Sequence, residues 1–148
     1  MKTIHTRTYL SVLKALILEQ QTVYLNISGS SMSPFLIHQR DAVRLQKPDH
    51  PPIPGDIVLY QRENGQFILH RICRMKNGFY YLAGDNQTIL EGPVPPEQIL
   101  AVVTAVCRKG QWFEAEDPRW QFFAIFWRRI LCLRPLFIWM YTELTRQR

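Results

Sequence analysis

Residues 56–82 read DIVLYQRENGQFILHRICRMKNGFYYL, three apolar runs separated by two Asn-Gly pairs. Runs of this length that alternate apolar with polar residues are typical of half-buried β-strands. Asn-Gly between such runs indicates a hairpin, because both residues tolerate the positive φ of a type I′ turn. The stretch therefore predicts an antiparallel β-meander whose strands are Asp56–Tyr60, Phe67–Cys73 and Phe79–Leu82.

Further strands are predicted on both sides of this meander, at Thr22–Ile27, Ala42–Leu45 and Ile99–Val106. Four prolines make residues 47–55 a stiff extended connector, and residues 93–96 form a proline-rich turn. The fold class expected is mainly β, a small antiparallel β domain with a short N-terminal helix and a C-terminal apolar and basic helical segment.

The N-terminal apolar run, residues 9–18, has the length of a helix but is interrupted by Lys14. A membrane-spanning helix needs about 20 apolar residues, so this run is too short to span. It also lacks the small-residue cleavage site of a secretory signal peptide. We therefore expect an N-terminal helix over residues 1–21, a β domain over residues 22–118 and a helical tail over residues 119–148.

The tail carries most of the positive charge. Residues 1–118 hold 12 Lys and Arg against 11 Asp and Glu, whereas residues 119–148 hold six Arg and one Glu. Residues 119–134 are predicted to form a helix that is apolar on most faces, and Pro135 opens a second apolar stretch. A basic, aromatic and apolar segment suits peripheral contact with a membrane surface better than nucleic acid, so we expect no nucleic-acid partner. The localisation expected is cytoplasmic or peripheral at a membrane.

The three cysteines, Cys73, Cys107 and Cys132, are widely spaced. They form no CxxC pair and no cluster with metal-ligand spacing, so neither a disulfide scaffold nor a zinc site is supported. We expect no metal and no cofactor.

Three segments contain residues suited to nucleophilic catalysis. The serine-rich turn at residues 29–36 lies between two strands, where a hydroxyl is accessible to a substrate carbonyl. His70 lies within a predicted strand and is the histidine best placed to act as a rigid general base. Asp85 follows a strand between Gly84 and Asn86, where it could orient an imidazole.

Taken in order, four short motifs resemble the conserved boxes of the type I signal peptidase family. That family shares its catalytic fold with the self-cleaving repressors of the SOS response, and the resemblance covers roughly residues 26–107. The matching motifs are Ser31-Met32-x-Pro34-x-Leu36, Gly55-Asp56-Ile57-Val58, His70-Arg71-Ile72 and Gly84-Asp85-Asn86.

The resemblance implies that Ser31 is the nucleophile, His70 the general base and Asp85 the third catalytic member. Many bacterial members have lysine at the position of His70, and histidine there resembles the branch of the endoplasmic-reticulum enzyme. The resemblance further implies oxyanion stabilisation and substrate binding at Gly29 and Met32, and structural support at Asp56 and Arg71.

The implied activity is that of a serine endopeptidase cleaving a signal or leader peptide through an acyl-enzyme, with an extended peptide or preprotein as its partner. One departure is that too few residues precede Ser31 to form the membrane anchor usual in this family. Two alternatives stay open: a self-cleaving regulator of the SOS-repressor type, and a catalytically inactive module that binds a membrane surface.

Overall fold

A single eight-stranded antiparallel sheet forms the body of the molecule. The computed structural model describes residues 2–146, with side chains described from residue 8 onward except at residue 132. The elements before the C-terminal segment are α1 (Lys2–Leu18), β1 (Val23–Asn26), β2 (Asp41–Gln46), β3 (Ile57–Gln61), β4 (Phe67–Lys76), β5 (Phe79–Ala83), β6 (Glu91–Val94), a 3-10 turn (Pro96–Gln98), β7 (Ile99–Arg108) and β8 (Gln111–Phe113).

The strand order is β1-β2-β7-β3-β4-β5-β6, with β8 paired to β7. Strands β3, β4 and β5 are neighbours, so the predicted meander is confirmed, as is the mainly β fold class with an N-terminal helix. The second hairpin turn has the predicted geometry, since Asn77 and Gly78 both have positive φ. The first turn differs, because only Gly65 has positive φ there and the Arg62 N–H bonds to the Gln66 carbonyl across a longer loop.

The sheet separates two apolar clusters. The larger cluster includes Leu13 and Ile17 of α1, so the helix packs on the sheet through its second half. The smaller cluster is built around Tyr60 and Tyr80 on the other side of the meander. Residues on one strand alternate between the two clusters, as the period of two requires.

Two strands lie outside the sequence prediction. Strand β6 reads EGPV and begins before the turn that was predicted at residues 93–96. Glycine and proline weaken the strand pattern, but an edge strand tolerates a residue that cannot donate to the ladder. Strand β8 has three residues, too few to show a period.

The C-terminal segment differs most from its prediction. In place of one helix over residues 119–134, the chain forms a short α2 (Pro118–Gln121), a π-helical stretch (Phe122–Phe126) and two 3-10 turns (Trp127–Arg129 and Leu131–Leu133) before α3 (Arg134–Arg146). The break lies at Ile130, whose ψ of 37° is not helical.

The first part of this segment packs on the β domain. Trp120 joins the larger apolar cluster, and Trp127 and Arg134 are also buried against the β domain. These three residues are seven positions apart, a spacing that also places side chains on one face of a regular helix, so their burial by itself does not require the break at Ile130. Most of α3, by contrast, exposes its apolar side chains. None of the helices within residues 2–146 is both long enough and apolar enough to cross a bilayer.

Candidate active site

The loop that carries Ser31 connects β1 to β2. Gly29 has a φ of +90°, and its N–H donates to Nδ1 of His38 at 2.9 Å, which fastens the start of the loop. The Gln39 N–H donates to the Ile27 carbonyl at 3.0 Å and closes the far end. Among the described residues the Ser31 N–H has no acceptor, so it is free to donate to an incoming oxyanion.

The Gly84-Asp85-Asn86 loop lies directly against Ser31. The Asn86 N–H donates to the Ser31 carbonyl at 2.9 Å. A Cβ atom at Gly84 would overlap that carbonyl oxygen and lie 3.2 Å from Ser31 Cβ. Glycine is therefore required at position 84 for the two loops to meet, and the meeting fixes where the Ser31 backbone lies.

Ser31 and His70 line the same cavity, of about 460 Å³, which is bounded by α1, β1 and β4. Its walls are mainly apolar and include Leu25, Leu59 and Leu69. Within residues 2–146 the Ser31 hydroxyl makes no hydrogen bond to His70. Such contacts are often long in a free enzyme and shorten when substrate binds. The structure thus brings the predicted nucleophile and base to one pocket.

His70 is neutral at physiological pH. It lies in β4 opposite Val58 and is only 4% exposed. Burial, with a smaller contribution from the Arg62 charge, lowers the pKa of His70 to about 4. A neutral imidazole can accept a proton from a serine hydroxyl without first losing its own, which is the state a general base needs.

Asp85, predicted as the third catalytic member, makes no hydrogen bond to His70 among the described side chains. Its two carboxylate oxygens each accept from the Arg71 guanidinium at 2.9 Å, and both side chains are fully buried. Arg71 also donates to the Gly55 carbonyl at 2.8 Å. The reason is geometric: Arg71 and His70 are adjacent in β4 and their side chains point to opposite faces of the sheet. The Asp85 carboxylate lies on the side of the sheet to which Arg71 points.

The other predicted positions are placed as follows. Asp56 caps its own turn, since its carboxylate accepts from the Ile53 N–H at 2.9 Å. Met32 is buried in the larger apolar cluster and lines the cavity beside Ser31. Gly29 lines the cavity as well, but its N–H is already bonded to His38.

Four residues of this region were missed in the sequence. The Tyr60 hydroxyl lies 3.5 Å from His70 Nδ1 and donates to the Glu91 carboxylate. On the other side, Trp127 Nε1 donates to the Asp85 carbonyl at 2.8 Å, and Arg134 donates to the Gly84 carbonyl at 3.1 Å. The alternation of β3 places Tyr60 on the same face as Val58, the partner of His70, and that was the available signal. Glu91, Trp127 and Arg134 are distant in sequence and gave none.

Residues 1–107 match the family described as Peptidase S24-like. The chain belongs to this family. The match covers α1 and almost all of β7. Of the residues named in this subsection, it includes all except Trp127 and Arg134. The S24-like assignment supports serine peptidase chemistry at the level of the family, and it is broader than the resemblance to type I signal peptidases. Among curated proteins, none matches the sequence significantly.

Proposed function

We propose that this S24-like protein is a serine endopeptidase that cuts a signal or leader peptide with Ser31 as nucleophile and His70 as base. The observation that supports the proposal most directly is that Ser31 and a neutral, buried His70 line one apolar cavity. An extended peptide with small or apolar side chains suits a cavity of that size and character.

The proposed reaction proceeds in two halves. His70 Nε2 takes the hydroxyl proton of Ser31 as Oγ bonds to the scissile carbonyl carbon, and the Ser31 N–H donates to the oxyanion. The protonated His70 then gives its proton to the leaving amine as the C–N bond breaks, which leaves an acyl-enzyme. A water molecule, deprotonated by His70 in the same way, releases the acid product and restores both residues.

The first experiment compares wild type with Ser31→Ala on extended peptides carrying Ala-x-Ala-like sites at pH 7–8, with products read by mass spectrometry. Ser30→Ala is the matched control, since it removes an exposed hydroxyl from the same loop. Cleavage by wild type and Ser30→Ala but not by Ser31→Ala supports the proposal. Equal traces from all three proteins contradict it.

A self-cleaving regulator is the second candidate, and the S24-like match is the observation that favours it. Such a protein would cut itself rather than a separate peptide. The intact mass of wild type, followed over days at several protein concentrations, decides between the two. A concentration-independent loss of mass that Ser31→Ala abolishes supports self-cleavage, whereas an unchanged mass beside peptide turnover supports the endopeptidase.

We also propose that α3 lies on an anionic membrane surface and brings the active site near membrane-bound substrates. Leu136, Trp139 and Leu144 are each more than half exposed, and α3 contains both a Trp and a Tyr, which favour the interface. The exposed arginines Arg129 and Arg146 flank this apolar surface and complement anionic headgroups.

Co-sedimentation with vesicles tests this placement. Wild type should pellet with phosphatidylserine-containing vesicles and much less with phosphatidylcholine alone. Replacing Leu136, Trp139 and Leu144 by serine should abolish pelleting, while Ile53→Ser, an equally exposed apolar residue elsewhere, should leave it unchanged. Equal pelleting of the triple variant and wild type contradicts the proposal, and catalytically inactive protein that still pellets supports the inactive binding module.

A further inference from the structure

We propose that Glu91, acting through the Tyr60 hydroxyl, positions His70 and fixes which of its ring nitrogens carries the proton. This inference rests on the proposed role of His70 as general base. It assigns to Tyr60 and Glu91 the orienting role that the sequence pattern suggested for Asp85.

The direction of the hydrogen bonds follows from the acceptors present. A tyrosine hydroxyl has one proton, and Tyr60 donates it to the Glu91 carboxylate. Only the lone pairs of the Tyr60 oxygen then remain for His70 Nδ1, 3.5 Å away. Nδ1 must therefore carry the hydrogen and donate it to Tyr60.

The opposite nitrogen is left as the base. Within residues 2–146, Nε2 of His70 has no hydrogen-bond partner, and no buried side-chain nitrogen or oxygen in this part of the chain lacks one. Nε2 consequently keeps contact with solvent. His70 borders two open spaces, the cavity that it shares with Ser31 and a second one lined by Arg62, Gln87 and Glu91. With the hydrogen on Nδ1, Nε2 presents its lone pair, the form needed to accept the Ser31 proton.

The hydrogen-bonded series His70, Tyr60 and Glu91 is called the relay below. Arg62 pairs with Glu91, its last member. Its Nε lies 2.6 Å from a Glu91 carboxylate oxygen, and both side chains are about one-third exposed. Burial raises the pKa of the Glu91 carboxyl. The Arg62 guanidinium beside it is the counter-charge of the carboxylate form. The Glu91 carboxylate pairs with Arg62, whose charge lowers the pKa of His70.

The three residues of the relay come from three strands of the sheet. Strands β3 and β4 are neighbours, and β5 separates β4 from β6. Tyr60 comes from β3, His70 from β4 and Glu91 from the edge strand β6. Rings of Tyr60 and His70 meet edge to face, with centroids 6.2 Å apart, which limits rotation of the imidazole. Each of the three groups is therefore held by a different strand of the sheet.

Nitrogen NMR of ¹⁵N-histidine-labelled protein tests the relay directly and needs no substrate. In wild type at pH 7 we expect His70 to carry its hydrogen on Nδ1. Tyr60→Phe removes the acceptor, and we expect the Nε2–H form to become populated. Tyr80→Phe is the matched control, because Tyr80 is buried in the same cluster but its hydroxyl donates to the Pro52 carbonyl. It should leave the tautomer unchanged.

Kinetics on the cleaved peptide provide the second measurement. Tyr60→Phe should lower kcat by about 10- to 100-fold with little change in KM, a part of the 10²–10⁴-fold that general-base catalysis supplies. Glu91→Gln keeps an acceptor for Tyr60, so it should preserve the tautomer while lowering kcat. Its control is Glu114→Gln, which removes the charge of a comparable glutamate paired with Arg44.

An Nε2–H tautomer of His70 in wild type overturns the proposed relay. The same tautomer in wild type and in Tyr60→Phe also overturns it, and neither result depends on whether the protein cleaves peptide. If the wild-type protein cleaves no peptide but the tautomer responds as expected, the endopeptidase proposal fails and the assigned hydrogen-bond relay stands. The two failures are therefore distinguishable.

Discussion

Arg71 and Asp85 form a fully buried, two-oxygen ion pair that joins the strand carrying His70 to the loop behind Ser31. A carboxylate at this position could serve catalysis or structure, and its contacts favour structure. Removing one partner of a buried pair leaves the other charge unpaired in a low-dielectric interior. We therefore expect substitution of Asp85 to reduce the stability of the fold first.

We expect Asp85→Asn to lower the free energy of unfolding by about 3–5 kcal/mol, since Arg71 then loses its buried counter-charge. The double variant Arg71→Met with Asp85→Leu should recover part of this loss, because neither charge remains. Urea unfolding of the wild type and both variants measures the effect. A drop in kcat for Asp85→Asn with unchanged stability would contradict the structural role and restore Asp85 as a catalytic group.

At the scale of elements, the sequence predicted what local periodicity and turn chemistry determine. Six strands and α1 follow from patterns within ten residues or so, whereas Ser31 and His70 were singled out by the order of four motifs that resemble a known family over residues 26–107. Strand β6 escaped because its Gly-Pro sequence has low strand propensity and is held by pairing with β5. The partner of Asp85 was not predicted either. Whether Asp85 meets the face of β4 that carries Arg71 or the face that carries His70 depends on tertiary contacts and not on the sequence of its own turn.

The C-terminal segment contacts the loop beside Ser31 through two side chains. Trp127 bonds to the Asp85 carbonyl, and Arg134 donates to the carbonyls of Gly84 and Gln87 as well as to that of Trp127. These bonds satisfy main-chain oxygens on the far side of the loop that touches Ser31. The Gly84 carbonyl also accepts from the Gln87 N–H at 2.9 Å, so Arg134 supplies its second hydrogen bond. A hydrogen bond from a charged donor contributes about 1.5–3 kcal/mol.

Arg134→Met should therefore destabilise the loop at residues 84–87 more than the strands around it. We expect hydrogen exchange at Asn86 and Gln87 to accelerate by at least tenfold, with a fall in peptidase turnover. Arg129→Met removes an exposed arginine from the same segment and serves as the control. Uniform acceleration across the whole sheet in Arg134→Met would show global unfolding and contradict a local effect.

For the whole molecule, the buried His70 makes stability depend on pH. Its pKa is about 4 when folded and near 6.5 when unfolded, so between these values the unfolded chain binds a proton that the folded protein does not. Stability from this group is complete above pH 6.5 and is lost as the pH falls towards 4. The shift corresponds to about 3 kcal/mol at most.

Comparison of wild type with His70→Gln isolates this contribution from the other titrating groups. The difference in unfolding free energy between the two proteins should change by about 3 kcal/mol between pH 7 and pH 4, with the wild type losing more. Chemical denaturation at half-unit pH steps measures it. Parallel pH profiles for the two proteins would contradict a depressed His70 pKa.

The clamp formed by Trp127 and Arg134 has a consequence for synthesis of the chain. The two residues that bond to the loop at residues 84–87 come 42 and 50 positions after their partners in the sequence. Ser31, His70 and Asp85 are therefore synthesised well before them. A growing chain therefore contains Ser31 and His70 before it contains the residues that bond to the loop beside Ser31. The hydrogen bonds of that loop are completed only after Arg134 has been synthesised.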